Sequence, residues 1–188
     1  MNDSFIPAGL ETPQEDLDAL AKLVIDCRSE GQPNTMVIEV GSWVGRTART
    51  MADAGALVWC VDTFQGSIGD SVDDTERMVK QAGGPEIIFQ CFCKNAGLRL
   101  FKRIFPCVGS SEMWAKVWPY QVDLVFIDAD HRYEAVKADI EYWLPKVRKG
   151  GVICGHDYGT FDGVKRATNE IFGPVNILGR TLWAVNVE

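Results

Sequence analysis

The chain has 188 residues, 46% of them hydrophobic, and a formal net charge of −7. This length predicts one domain, residues 1–188, with a sizeable buried core. The negative charge and the dispersed lysines and arginines argue against a nucleic-acid partner, which would need a clustered basic surface. No apolar run could span a bilayer and no signal peptide is visible, so we expect no membrane association. The six cysteines lie mostly in apolar patterns, which favours a reduced, cytoplasmic compartment.

Helical and strand patterns alternate along the chain. An N-terminal helix over 12–30, opened by a capping box at Thr12 to Glu15, is predicted within residues 1–34, and the core follows over 35–188. The predicted strands are 36–40, 57–61, 103–108, 123–128 and 152–154, and the predicted helices are 46–54, 86–100, 112–117, 133–147 and 163–172. Residues 64–85 are predicted as a loop with a short helix, and 177–187 as a final antiparallel pair of strands. Such alternation predicts an α/β fold with a parallel sheet covered by helices.

The first turn between strand and helix carries Glu39-x-Gly41-x-x-x-Gly45. Gly41 would let the backbone pass close to a ligand, and Gly45 would let the helix pack close to the sheet. The spacing differs from the G-x-G-x-x-G of dinucleotide sites. Asp62 ends the next strand, where a carboxylate can accept hydrogen bonds from both ribose hydroxyls. The combination predicts a nucleoside cofactor, with Ser110 and Ser111 able to bond an adenine and Trp43 able to cover the ligand.

Two later strand patterns, at 122–131 and 150–158, end in ionisable side chains. These are Asp128, Asp130 and His131 after the first strand, and His156 and Asp157 after the second. Ionisable groups are costly to desolvate, and in open α/β sheets ligands bind at the carboxyl ends of the strands. The two segments therefore indicate a shared polar site that could hold a metal.

Asp128 and Asp157 are the kind of carboxylates that Mg²⁺ uses in proteins. A metal bridged to a substrate hydroxyl would lower the pKa of that hydroxyl, and Asp130 or His131 could then take the proton. Two alternatives stay open. Asp130 could instead cap the helix that starts near Tyr133, and the spacing does not decide whether His156 is a metal ligand or a gate residue.

Together these motifs resemble those of the class I S-adenosylmethionine-dependent methyltransferases. Residues 37–47 are similar to their first motif and 61–66 to their second, while 123–133 and 150–158, followed by 163–167, are more specific. The resemblance runs from about residue 35 to the end and is closest to the small-molecule O-methyltransferases, which include metal-dependent sugar and catechol enzymes. It implies a Rossmann-like, seven-stranded, mostly parallel sheet with helices on both faces and an antiparallel last strand pair.

The resemblance also implies roles for individual residues. Glu39, Gly41 and Ser42 fall on the methionine side of S-adenosylmethionine, and His131 falls where catechol-type members carry a basic lysine. The predicted cofactor-binding residues are Glu39, Gly41, Ser42, Trp43, Gly45, Asp62, Thr63, Ser110, Ser111 and Asp128. The predicted metal ligands are Asp128, His156 and Asp157, and the predicted catalytic residues are Asp130 and His131.

One departure concerns the metal. Metal-dependent members usually end the fifth strand in two acids or in Asp-Asn, whereas this chain has His156-Asp157, and a histidine is a softer ligand than Mg²⁺ prefers. The metal could thus be Mg²⁺, another divalent cation or none.

The main hypothesis is methyl transfer from S-adenosylmethionine to a hydroxyl of a small-molecule acceptor. The alternatives are a metal-independent methyltransferase with a histidine base, a nicotinamide dehydrogenase, which the missing G-x-G-x-x-G argues against, and a non-catalytic module that binds S-adenosylmethionine. A homo-oligomer whose second subunit completes the substrate site is a further alternative.

Overall fold

A computed structural model describes residues 12–67 and 75–188. Within these stretches the helices are α1 (Gln14–Asp26), α2 (Arg46–Asp53), α3 (Thr75–Ala82), α4 (Pro85–Ala96), α5 (Ser111–Val117), α6 (Tyr133–Trp143) and α7 (Asp162–Phe172). The strands are β1 (Thr35–Val40), β2 (Ala56–Asp62), β3 (Ile104–Val108), β4 (Val122–Ile127), β5 (Val147–Gly155), β6 (Asn176–Leu178) and β7 (Leu182–Asn186). Residues 1–11 of the predicted N-terminal region and 68–74 of the predicted loop lie outside the described stretches. None of the described helices is long and apolar enough to cross a membrane.

The strands form one sheet in the order β3-β2-β1-β4-β5-β7-β6. β1 lies between β2 and β4 and pairs with both in parallel, while β7 runs antiparallel to β5 and to β6. This confirms the predicted Rossmann-like sheet with an antiparallel last strand pair. Since β1 and β4 are central and parallel, their carboxyl ends meet at one edge of the sheet, where such folds bind ligands.

Helices cover both faces of the sheet, as predicted. Side chains alternate along each strand, so Val37 of β1 packs with α1, α2 and α4 on one face, and Ile38 packs with α5, α6 and α7 on the other. All of β4 is buried. A strand covered on both faces has an apolar sequence throughout, which explains why the polar residues of the central strands collect at the strand ends.

Two predicted element boundaries are wrong. Pro13 occupies the N-cap of α1 without a side-chain capping bond, and its carbonyl oxygen accepts hydrogen bonds from the amides of Asp16 and Leu17, each at 3.1 Å. The predicted capping box is therefore absent. The predicted helix over 133–147 ends as an α-helix at Trp143, because Pro145 lies in a short 3-10 helix, Leu144–Lys146. β5 then begins at Val147 and contains the predicted strand residues 152–154.

Candidate active site

The carboxyl ends of the central strands border a cavity of about 940 Å³. Its size is within the range of cavities that bind cofactors and small ligands. The wall includes most of the residues that the sequence singled out: Gly41, Trp43, Asp62, Thr63, Ser110, Ser111, Asp128, Asp130, His131, His156 and Asp157. The fold therefore brings most of the predicted cofactor residues, and all of the predicted metal and catalytic residues, to one cavity.

The glycine turn after β1 passes very close to the end of β4. Gly41 has a φ of +87°, and a Cβ atom there would lie 2.2 Å from the backbone oxygen of Asp128. Only glycine tolerates both conditions. Gly45 has a φ of +80° and precedes α2, where a Cβ would lie 2.9 Å from the ring of Phe92 in α4. The absent side chain at Gly45 thus makes room for α4, whereas the sequence argument had placed the close approach against the sheet.

The carboxylate of Asp62 fastens this turn to the end of β2. Its Oδ2 accepts hydrogen bonds from the amides of Ser42 at 2.8 Å and Trp43 at 2.7 Å, and its Oδ1 accepts one from the amide of Phe64 at 2.6 Å. Burial raises the pKa of Asp62, and the amide bonds oppose that rise. Asp62 also lines the cavity, and a carboxylate has about four acceptor positions, so acceptor capacity is left for a ligand hydroxyl.

Glu39 and Ser42 lie outside the wall of the large cavity. Glu39 is fully buried, its Oε1 accepts a hydrogen bond from Thr47 Oγ1 at 2.6 Å, and burial raises its pKa to about 7. Among the described residues, Glu39 Oε2 and Ser42 Oγ have no hydrogen-bond partner with good geometry. A second cavity of about 60 Å³ is lined by Ser42, Thr47 and Gly41. Buried polar atoms are rarely left unsatisfied, so this small cavity suits a polar end of a ligand.

An acid and imidazole cluster forms where β4 and β5 end. His131 Nε2 lies 3.2 Å from Asp157 Oδ2 and 3.7 Å from Asp128 Oδ1. One donor atom from each of the three residues lies within 4.8 Å of the others. The His131 ring stacks on Phe161 with a centroid distance of 4.2 Å, which fixes its orientation. Asp157 has a φ of +63°, a left-handed conformation that is uncommon outside glycine and recurs at functional sites.

His156, a predicted metal ligand, lies in a hydrogen-bond network with Asp16 and Thr181. Its Nε2 lies 2.9 Å from Asp16 Oδ2 and 3.0 Å from Thr181 Oγ1, and its Nδ1 lies 3.4 Å from Asp157 Oδ1. Burial lowers the pKa of His156, but its acidic neighbours, Asp157 first, outweigh burial and raise it to about 9. Among the described residues, the donor atoms that lie within 4.8 Å of one another belong to Asp128, His131 and Asp157, so the geometry groups His131 rather than the predicted His156 with the two acids.

The partner of His156 is Asp16 on α1, which the sequence analysis missed. Asp16 is buried and also accepts hydrogen bonds from the amides of Arg180 and Thr181. Burial alone would raise the pKa of Asp16, but these bonds and the one from His156 lower it. A signal was present, because Asp16 lies four residues before Leu20 and therefore on the apolar face of the helix.

Asp130 is held by its neighbour Arg132. The guanidinium Nε lies 3.0 Å from both carboxylate oxygens, and the Arg132 amide donates to Oδ1 at 2.9 Å. Arg132 is also the N-cap of α6, which has no side-chain capping bond. Asp130 therefore does not cap that helix, and both of its carboxylate oxygens are engaged by Arg132.

Both predicted adenine-binding serines already have partners within the fold. Ser110 Oγ caps α5 by accepting a hydrogen bond from the amide of Met113 at 3.3 Å. Ser111 Oγ accepts one from Trp143 Nε1 at 2.8 Å and bonds Asp139 of α6. Asp139 is 8% exposed, lines the cavity, and has a pKa raised to about 6 by burial. The sequence analysis missed this residue as well, although it too lies on the apolar face of its helix.

Comparison with known proteins places these features in a family. The family model described as a methyltransferase domain matches residues 38–158. In addition, 129 residues are 28% identical to the uncharacterized protein y4gI of Sinorhizobium fredii, and they cover 64% of this chain and 13% of that protein. The chain thus corresponds to a small part of the curated relative.

Solved structures of methyltransferases share the fold. The O-methyltransferase NovP superposes with a TM-score of 0.68 at 20% identity, over 92% of this chain and 79% of NovP. TomG, an O-methyltransferase from Streptomyces achromogenes involved in tomaymycin synthesis and solved with SAM, gives 0.67 at 12% identity, over 96% and 83%. The TDP-rhamnose 3'-O-methyltransferase CalS11 gives 0.56 at 19% identity, over 90% and 76%. At these sequence identities, the structural similarity shows a shared fold.

Proposed function

Since this chain belongs to the family of methyltransferase domains, we propose that it transfers the methyl group of S-adenosylmethionine to a hydroxyl group of a small molecule. The observation that carries the proposal is the cluster of Asp128, His131 and Asp157. It lies in the wall of the same cavity as Gly41 and Asp62. One cavity thus combines a wall suited to a nucleoside with groups able to deprotonate an acceptor.

The chain offers a matching group to each part of the cofactor. The acceptor position left on Asp62 suits a ribose hydroxyl. The 60 Å³ cavity lined by Gly41 and Ser42 suits the amino-acid end, with the buried carboxylate of Glu39 close to Ser42. The bound cofactor supplies a methyl group on a positively charged sulfonium. These residues hold it in place, so that an acceptor in the larger cavity meets the methyl group in line with the bond that breaks.

We assign removal of the acceptor proton to His131 rather than Asp130, because Asp130 is bound to Arg132. Asp157 Oδ2 lies 3.2 Å from His131 Nε2, close enough to orient the imidazole, in the manner of a base held by a third group. The acceptor oxygen forms a bond to the methyl carbon while the carbon–sulfur bond breaks. The hydroxyl proton passes to His131, and the products are a methyl ether and S-adenosylhomocysteine.

The same three residues would also fit a divalent cation. Two carboxylates and one imidazole are hard and intermediate donors, a set that suits Mn²⁺ or Fe²⁺ as well as Mg²⁺. Such a cation would supply Lewis acidity and lower the pKa of the acceptor hydroxyl. His131 Nε2 cannot ligate a cation and donate to Asp157 at once, so the metal-assisted and metal-free arrangements exclude one another. The distance of 3.2 Å between His131 Nε2 and Asp157 Oδ2 favours the metal-free arrangement. The position of one donor atom from each of the three residues within 4.8 Å of the others supports the metal-assisted arrangement.

The deciding experiment measures transfer of labelled methyl from S-adenosylmethionine to a panel of sugar and catechol acceptors, with EDTA and with added Mn²⁺ or Mg²⁺. We expect transfer by the wild-type protein in EDTA and a loss of about a hundredfold or more in His131→Ala. Glu134→Gln, an exposed change at the start of α6, serves as the matched control and should retain turnover.

Each other outcome has a defined meaning. Loss of transfer in EDTA with recovery in Mn²⁺ would select the metal-assisted arrangement. Binding of S-adenosylhomocysteine without transfer to any acceptor would favour a non-catalytic binding module, and no binding at all would refute the proposed function.

Analytical ultracentrifugation of the same samples would test whether a homo-oligomer forms. Addition of duplex RNA or DNA, which we expect not to bind, would test the expected absence of a nucleic-acid partner.

A further inference from the structure

A turn at one corner of the sheet exposes two large apolar side chains. β3 is the outermost strand on its side of the sheet, and the turn at 97–103 precedes it. The turn therefore lies at the amino end of the strands, opposite the cavity. Leu98 is 88% exposed and Phe101 is 69% exposed, although leucine and phenylalanine are usually buried. Neither side chain has a part in the proposed methyl transfer.

Hydrogen bonds within the backbone fix the conformation of this turn. The Arg99 carbonyl oxygen accepts hydrogen bonds from the amides of Lys102 at 3.0 Å and Arg103 at 2.8 Å. The Phe101 amide donates to the Ile104 carbonyl oxygen at 2.9 Å. Phe101 has a φ of +55°, a left-handed conformation that is uncommon for a bulky residue and recurs at functional sites. The backbone thus holds the apolar side chains of the turn toward solvent.

The surroundings of the turn are basic, although the chain has a net charge of −7. Residues 87–111 form the longest stretch of the sequence without an acid. The lysines and arginines of this stretch are Lys94, Arg99, Lys102 and Arg103. Arg99 pairs with Asp53, while Lys102 is exposed and has no ion pair among the described residues. Exposed charges more than about 8 Å away are largely screened at physiological salt, so the local positive charge decides what docks here.

A row of aromatic rings continues from β3 to the segment before β4. Trp59 stacks on Phe105 at a centroid distance of 5.2 Å and lies 5.4 Å from Trp118. Trp118 in turn lies 6.2 Å from Tyr120, which is exposed. Lys146 Nζ donates to the Trp118 carbonyl oxygen at 2.9 Å. Aromatic rings with a polar edge, accompanied by cations, are typical of surfaces at a lipid–water interface.

These features favour a lipid surface over a protein or a nucleic acid. A stable contact between two copies of the chain needs about 800 Å² on each copy, and a turn at a corner offers less than a flat face. Nucleic-acid bases stack on aromatic rings, but Leu98, the more exposed of the two side chains, has no ring. Apolar side chains at a corner, flanked by lysines and arginines, suit insertion between anionic headgroups.

We propose that the turn at 97–103 binds the protein reversibly to an anionic phospholipid surface. Leu98 and Phe101 enter the boundary of the acyl chains, and Lys102 contacts the phosphate groups. The expectation of no membrane association came from the lack of a spanning run, and docking on a surface needs no such run. The cavity at the opposite end of the strands remains open to a water-soluble acceptor. The inference goes beyond the proposed function and does not depend on it.

The test is sedimentation of the protein with vesicles of phosphatidylcholine, alone or with about 30% phosphatidylserine. The wild-type protein should bind the anionic vesicles about tenfold more strongly than the neutral ones, and high salt should reduce this ratio. The double variant Leu98→Ser/Phe101→Ser should lose about tenfold in affinity for the anionic vesicles, because the inserted apolar surface is gone. Lys102→Glu should lose about tenfold on the anionic vesicles only.

Two exposed changes elsewhere serve as matched controls, with folding of every variant checked by circular dichroism. Ile177→Ser removes an apolar side chain from β6, at the other edge of the sheet, and Lys165→Glu reverses a charge on α7. Both should bind vesicles like the wild-type protein. The inference would be overturned if the wild-type protein bound neither kind of vesicle or both equally, or if a control lost as much affinity as its matched variant.

Two further results would assign the turn to another partner and overturn the inference. One is self-association of the wild-type protein in analytical ultracentrifugation that the double variant abolishes, which would indicate a second copy of the chain. The other is binding of duplex RNA that Lys102→Glu abolishes, which would indicate a nucleic acid.

Discussion

The two ends of the parallel strands both hold buried acids, but their surroundings differ. At the amino end of β4, Asp123 accepts hydrogen bonds from Arg148 Nε at 2.7 Å, the Met36 amide at 2.8 Å and the Ser29 hydroxyl. Burial alone would raise the pKa of Asp123, but these partners lower it. At the carboxyl end, Glu39 and Asp139 bond hydroxyl groups rather than a guanidinium, and burial raises their pKa values to about 7 and about 6.

This difference separates acids that hold the fold together from acids kept for a ligand. Asp123 is matched by a cation and by donors of the chain itself, so its charge costs little and it fastens β4 to β1 and β5. The acids at the carboxyl end retain acceptor capacity that the chain does not use, which is expensive unless something binds there. If this distinction holds, substitutions at the two ends should affect different properties, activity at one and stability at the other.

The largest effect is expected for Asp128→Asn. This change removes one charge from the cluster with His131 and Asp157 but preserves the size of the side chain. Turnover should fall about a thousandfold, because the neutral amide neither supports a cation nor stabilises a protonated His131. Steady-state kinetics would give kcat/KM, and a thermal melt of the same sample should show a midpoint close to that of the wild-type protein. A large fall in the midpoint with unchanged kcat/KM would reverse the assignment.

Asp123→Ala should give the opposite result. Removal of one partner of this pair leaves the Arg148 Nε and the Met36 amide without an acceptor, which costs about 3 kcal/mol of unfolding free energy. Urea unfolding would measure the loss, and kcat/KM of the folded fraction should be unchanged. Asp123→Asn, which keeps an acceptor oxygen for the amide, is the comparison variant and should lose less. Loss of activity in a stable Asp123→Ala would show that the distinction between the two ends is wrong.

Glu39→Gln should change the pH dependence of stability. The folded-state pKa of about 7 lies above the ordinary value, so the folded protein binds this proton more tightly than the unfolded chain. Between about pH 4.5 and pH 7, Glu39 therefore makes the wild-type protein less stable as pH rises, by up to about 1.4 kcal/mol per pH unit. Gln does not titrate, so the wild-type minus variant difference should fall across this interval and stay level above it. Urea unfolding from pH 4 to pH 8 checks this, and parallel curves would contradict it.

The fold was largely predictable because a parallel sheet requires apolar strands that end in polar residues. The sequence located every strand and placed Asp62, Asp128 and Asp157 at one edge. It failed where partners come from distant parts of the chain. Asp16 lies 140 positions before His156, and no local pattern shows that α1 supplies the carboxylate that holds this imidazole. Asp139 was missed for a related reason, since the helical pattern over 133–147 does not show which of its acids borders the cavity.

The smallest effect, expected for Ser110→Ala, shows why position at the carboxyl end is not sufficient to assign a role. Ser110 lines the cavity, yet its hydroxyl accepts the Met113 amide and caps α5. Loss of such a cap costs about 1 kcal/mol of stability. The affinity for S-adenosylhomocysteine, measured by titration, should change less than about threefold, because the hydrogen bond that is lost lies within the fold. A tenfold loss of affinity without loss of stability would mean that Ser110 contacts the ligand. In that case, a hydrogen bond within the fold would not prevent a residue at this edge of the sheet from binding the ligand.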